Sequence, residues 1–125
     1  PYMSKGGAKL KRKVLIINDS RFESMILKDL IKKVNLTPIV SDEYNALVNV
    51  IDEEPFIVIV NYLMENIKGD ELAKKIKVIN PNIKCILSSC NNLNTLNYDK
   101  QFVDEVIKTP IQPNELINIV IDFAI

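Results

Sequence analysis

Lys13-Val14-Leu15-Ile16-Ile17-Asn18-Asp19-Ser20 is the stretch on which the fold turns. After the lysine it is continuously apolar and mostly β-branched, the pattern of a strand buried on both faces in a parallel sheet. Asn18-Asp19-Ser20 then supplies side-chain oxygens suited to starting a helix. Phe22, Ile26 and Leu30, with Leu27, Ile31 and Val34, carry helical periodicity to about Val34. Outward from there, Pro38-Ile39-Val40 reads as a short second strand. Ser41 or Asp42 caps a helix bearing Ala46, Leu47, Val50 and Ile51. Phe56 to Val60 is a third strand, apolar throughout. Gly69 precedes a helix with Leu72, Ala73, Ile76 and Ile79, and Pro81 stops it. Ile83 to Leu87 is a fourth strand, and residues 91–101 are Asn-rich and only weakly helical. Val103 to Ile107 is a fifth strand, and a last helix runs from about Pro113 to Ala124. Five strands alternating with five helices predict an α/β domain: a doubly wound, five-stranded parallel sheet in a three-layer αβα sandwich. Right-handed crossovers leave few topologies, and the order 2-1-3-4-5 is the small-domain solution.

Composition narrows the function classes. The chain has 125 residues, 47% hydrophobic and 26% charged, enough for one domain with its own core. No apolar run approaches the roughly 20 residues that span a bilayer, and no signal peptide is visible. With 16 basic and 16 acidic residues the balance argues against nucleic-acid binding by this domain. Histidine is absent, which removes the commonest metal ligand and general base. Two cysteines, Cys85 and Cys90, read as reduced thiols, so the cytoplasm is the expected compartment. Lys5, Lys9, Lys11, Arg12 and Lys13 stand without any acid, leaving 11 basic against 16 acidic residues in the rest. Residues 1–12 therefore read as a flexible basic leader and residues 13–125 as the folded domain.

In a doubly wound sheet the site lies at the C-terminal strand ends. That rule selects Asn18, Asp19 and Ser20; Asn61 and Tyr62; Ser88, Ser89 and Cys90; and Lys108, Thr109 and Pro110. From Lys13 to Ala124 the chain resembles a response-regulator receiver domain, a flavodoxin-like fold of two-component signalling. Val14-Leu15-Ile16-Ile17-Asn18-Asp19-Ser20-Arg21 resembles its first strand and acidic pair. Ile59-Val60-Asn61-Tyr62-Leu63-Met64 with Gly69 resembles the phospho-acceptor segment, and Pro81 through Ser89 the approach to the hydroxyl residue. Ile107-Lys108-Thr109-Pro110-Ile111, with Pro113 and Leu116, resembles the lysine-proline turn. The resemblance implies two acids holding Mg²⁺, an aspartate taking a phosphoryl group, a Ser/Thr and a lysine on the phosphate, and a cis Thr109–Pro110 bond.

Carried over by position, the acid pair falls on Asn18 and Asp19, the acceptor on Asn61, the hydroxyl on Ser89 and the lysine on Thr109. Asn18, Asn61 and Thr109 depart from the pattern, and the departures agree chemically. An amide is a poor nucleophile where a carboxylate would form the acyl phosphate. Mg²⁺ prefers anionic oxygen, and Asp19 is the one candidate ligand left. Threonine is too short to replace an ammonium. Lys108 is adjacent, but strand alternation turns neighbours to opposite faces. Val106 stands where the family has its switch aromatic, and Tyr62 reads as a structural tyrosine. Glu65 reads as an exposed loop residue, and Asp99 and Asp104 as solvated charges. Cys90 lacks an activating base, and Cys85 reads as a small core residue.

These residues predict a degenerate phosphorylation pocket in a phosphorylation-independent, receiver-like interaction module with no cofactor and no enzymatic activity. The alternatives are an atypically phosphorylated receiver and a small-molecule sensor. The expected partner is a protein or a second copy, met on the face made by the fourth helix, fifth strand and fifth helix. A helical wheel turns Ile117, Val120, Ile121 and Ala124 to the sheet and leaves Leu116, Ile119 and Phe123, with Val106, as that face.

Overall fold

We describe residues 12–124 of a computed structural model. Strands β1 (Lys13–Ile17), β2 (Thr37–Ser41), β3 (Ile57–Asn61), β4 (Lys84–Ser89) and β5 (Glu105–Lys108) alternate with helices α1 (Arg21–Lys33), α2 (Ala46–Glu53), α3 (Gly69–Ile79) and α4 (Pro113–Ala124). All strands are parallel, in the order β2-β1-β3-β4-β5. The fold class and strand order read from the sequence are those observed.

The period-two alternation of each strand sorts its apolar residues into two cores. Leu15, Ile17, Val58, Val60, Cys85 and Leu87 meet Ala46 and Val50 of α2 and Leu72, Ala73 and Ile76 of α3. Val14, Ile16, Ile57, Ile59, Ile86 and Ile107 meet Leu27 and Ile31 of α1 and Leu116 and Val120 of α4. The three central strands are thus apolar on both faces because helices cover both.

Three expectations are corrected. Residues 91–103 form no α-helix. They hold two short 3₁₀ turns, Leu93–Thr95 and Lys100–Phe102. Asparagine at 91, 92, 94 and 97 favours local side-chain hydrogen bonds over a helix, and Asn92 indeed accepts from the Asn94 amide. The expected partner face is corrected next. Leu116 is 2% exposed in the core, and Ile119 and Phe123 pack against the same cluster, whereas Ile121 is 51% exposed. The α4 sequence carries two apolar stripes that share Val120. The stripe 116/119/120/123 is the one turned to the sheet. Val106 packs against the other core, beside α2 and α3. The leader boundary also shifts. Arg12 stacks its guanidinium 3.8 Å from the Phe56 ring centre and donates to the Ala124 carbonyl at 3.2 Å. It belongs to the domain. The rest of the expected leader, residues 1–11, lies outside the described residues.

Candidate functional site

β1, β3, β4 and β5 all end at the same rim of the sheet, where alternation places Asn18, Asn61, Ser88 and Thr109 on the α1 side. Asn18 follows β1 and is 5% exposed. Its Oδ1 accepts from the Ser20 backbone N–H at 2.9 Å, so its amide has one orientation and Nδ2 faces Glu23. That nitrogen donates to Glu23 Oε2 at 3.1 Å. The second carboxylate oxygen, Oε1, accepts from Thr109 Oγ1 at 3.0 Å. Two of the five positions named from the sequence are therefore joined, through a residue the sequence reading passed over.

Glu23 has an evident local role that it does not take. Ser20-Arg21-Phe22-Glu23 is a capping-box sequence, in which the glutamate would reach back to the cap residue's backbone N–H. Half of the box forms: Ser20 Oγ accepts from the Glu23 N–H at 3.3 Å. Asn18 has already satisfied the Ser20 N–H, and the Glu23 side chain is free to cross to Thr109.

The other positions are engaged elsewhere. Asn61 ends β3 and donates from Nδ2 to the Leu63 carbonyl at 2.7 Å, within its own loop. Asp19 is exposed. Ser89 Oγ accepts from the Asn91 N–H at 3.1 Å. The register pairs Asn61 with Ser88, not Ser89, and alternation after Ile86 places Ser88 on the α1 side. Ser88 is 1% exposed, and among the described residues its hydroxyl has no partner. Ser88 thus takes the level in the crevice that the sequence reading gave to Ser89. Lys108 is exposed and shares the face of Val106, one step out of phase with Thr109. The Thr109–Pro110 bond is cis, as the resemblance implied.

Neighbouring loops are pinned by carboxylates. Glu43, nearly buried, accepts from the backbone N–H groups of Glu65 and Asn66 at 2.9 and 2.8 Å, fixing the loop after β3. Gly69 opens α3 so close to β3 that a Cβ there would meet the Asn61 carbonyl and, at 2.7 Å, the Leu87 side chain. Asp104 is exposed, as expected, but engaged. It pairs with Lys77 at 2.7 Å and accepts from the Cys85 N–H at 2.8 Å. Tyr62 is buried, and its hydroxyl donates to the Asn97 carbonyl at 2.7 Å, a structural tether as read from the sequence. Beside Glu23 and Thr109, a cavity of about 200 Å³ opens between α1 and the turn after β5, lined by Phe22, Ile26, Leu27, Cys90, Pro110 and Ile111.

Solved structures share this architecture. A response regulator from Thermotoga maritima is 20% identical, with a TM-score of 0.80 over 91% of this chain and 98% of that one. The chain has the response-regulator receiver fold. The chemotaxis response regulator CheY4 of Vibrio cholerae is 13% identical, with a TM-score of 0.80 over 91% of this chain and 99% of its own. NtrX from Brucella abortus, solved with ADP, is 17% identical, with a TM-score of 0.81. The match spans 91% of this chain and 27% of that longer protein. No family model matches the chain, and no curated protein does.

The receiver fold brings with it the question of Mg²⁺. The ion takes hard, mostly anionic oxygens. Asn18 Oδ1 is spent on Ser20, Asn61 offers an amide, and both Glu23 oxygens accept from neutral donors. Asp19 stands alone. Among the described residues no group of three His, Cys, Asp or Glu side chains could hold a metal. The residues present do not fit the ion. Among the described residues, too, no helix is long and apolar enough to cross a membrane.

Proposed function

We propose that this chain is a pseudo-receiver: a cytoplasmic signalling interaction module, without enzymatic activity, whose output does not depend on aspartyl phosphorylation. The observation that carries the reading is Asn61 at the end of β3, where a neutral amide replaces a nucleophilic carboxylate and is committed to the Leu63 carbonyl. Thr109, in the lysine's place, supports it by bonding to Glu23, and Asn18 does so by leaving the crevice one acid short. Free Cys85 and Cys90 fit a reducing compartment. The partner is a protein or a second copy of the chain.

Incubation with acetyl phosphate and Mg²⁺, followed by intact-mass measurement, tests the reading. The expected spectrum shows no phosphoryl increment, and beryllofluoride with Mg²⁺ leaves the amide spectrum unchanged. A phosphoryl adduct on the peptide containing Asn61 overturns it. The cavity beside Thr109 favours a second reading, a small-molecule sensor, which predicts a thermal shift with a small apolar ligand and its loss in Ile26→Asp.

A further inference from the structure

We propose that the Glu23 carboxylate is an internal ligand, filling in cis a seat for a small carboxylate anion built by Asn18 Nδ2 and Thr109 Oγ1. Each donor is aimed by an independent constraint. The Asn18 amide is oriented by the Ser20 N–H on its oxygen, which leaves Nδ2 as the donor towards Glu23. Thr109 is held by its own N–H, donating to the Ser89 carbonyl at 2.9 Å, and lies 86 residues from Glu23. Hydrogen bonds from neutral donors to an ionised carboxylate are stronger than those between neutral groups. The described contacts of Glu23 include no cation, so these two donors, with the N-terminal end of α1, hold its charge.

A second, separate observation lies at the same strand ends. Ser88 is buried on the same side of the sheet, and among the described residues its hydroxyl is without a partner. A buried hydroxyl left unpaired is costly, and a ligand oxygen that reached it would give it a partner. The adjoining cavity gives a free carboxylate room to enter once the Glu23 side chain is gone.

This deepens the unphosphorylated reading of the crevice and rests on it. A phosphoryl adduct with acetate rescue intact would sink that reading alone. Absent rescue with no adduct would sink this one alone.

The test is chemical rescue of Glu23→Ala, comparing sodium acetate with sodium chloride at equal ionic strength. A ligand that binds only the folded state stabilises it by mass action. Acetate is expected to raise the melting temperature of Glu23→Ala by several degrees, with saturation. Wild type and Glu23→Gln, whose seats stay filled, should not respond. Adding Thr109→Val or Asn18→Ala to Glu23→Ala should abolish the rise. Equal melting in acetate and chloride overturns the proposal, and so does a rise that survives Thr109→Val. Should Glu23→Ala be insoluble, refolding yield is read instead. More soluble protein in acetate supports the seat, and equal yields in the two salts overturn it.

Discussion

Cys85 and Cys90 lie five residues apart, and the sheet gives them opposite chemistry. Cys85 points into the core between β4, α2 and α3, where burial pushes its thiol up to about 12, against the opposing pull of Lys77 and a smaller push from Asp104. Cys90 is exposed beyond the strand end. A raised folded-state pKa means that the unfolded chain gives up the thiol proton first. The stability Cys85 contributes is whole below about pH 9, the value for a free thiol, and is lost as pH climbs towards 12. Urea melts at pH 8 and pH 10.5 should therefore show a loss of stability that is smaller in Cys85→Ala, at up to about 1.4 kcal/mol per pH unit. Iodoacetamide should label Cys90 in the native protein and Cys85 only on unfolding. Native labelling of Cys85 would contradict the packing. This much was legible from the sequence, because a cysteine in a mostly apolar strand, beside Ile86 and Leu87, reads as a small core residue.

At the scale of elements, legibility followed the strength of the period. β1 and β3 were plain because an unbroken apolar run of strand length has few alternatives. The face of α4 was misread because its sequence supports two apolar stripes. The choice between them is made by how the turn at 109–112 aims the helix, which is tertiary information. Residues 91–101 are only weakly helical by sequence, and their actual shape depends on anchors outside the segment. The Tyr62 hydroxyl donates to the Asn97 carbonyl, and Asp70 Oδ2 accepts from the Asp99 N–H at 2.8 Å. Two short 3₁₀ turns have little cohesion of their own, so these anchors set the segment's local stability. Tyr62→Phe removes one anchor with almost no change of shape, at a cost of about 1 kcal/mol. Hydrogen exchange should quicken for the amides of residues 94–102 while those of β1 and β3 slow or quicken only with global stability. Exchange unchanged in 94–102 would show that the tether does not govern the segment.

The crevice is a property of the whole molecule, since its residues come from β1, α1, β3, β4 and the turn after β5. For that reason its departures from the receiver pattern, at Asn18, Asn61 and Thr109, were legible one position at a time, while its internal bonding was not. Asn61 and Thr109 could be placed by their strand ends, but Glu23 sits in a capping box whose local purpose hid a partner 86 residues away. Ser88 and Ser89 could be told apart only by the register against Asn61. The same dispersion decides what reconstruction would take. Asn61→Asp restores one nucleophile but leaves Asn18 neutral, so it should give no phosphoryl adduct with acetyl phosphate and Mg²⁺. Adding Asn18→Asp and Thr109→Lys restores the charges, yet the new ammonium would arise where Thr109 Oγ1 already bonds Glu23 at 3.0 Å. An ammonium beside that carboxylate pairs with it in preference to a transient phosphoryl group, because charge-assisted contacts in partly buried sites are the strong ones. The triple variant should accordingly label slowly, and a further Glu23→Ala should release the lysine and raise the labelling rate at least tenfold, a change of about 1.4 kcal/mol in barrier. Time courses of intact mass decide it. Efficient labelling of Asn61→Asp alone, or identical rates for the triple and quadruple variants, would mean that Glu23 does not control the crevice.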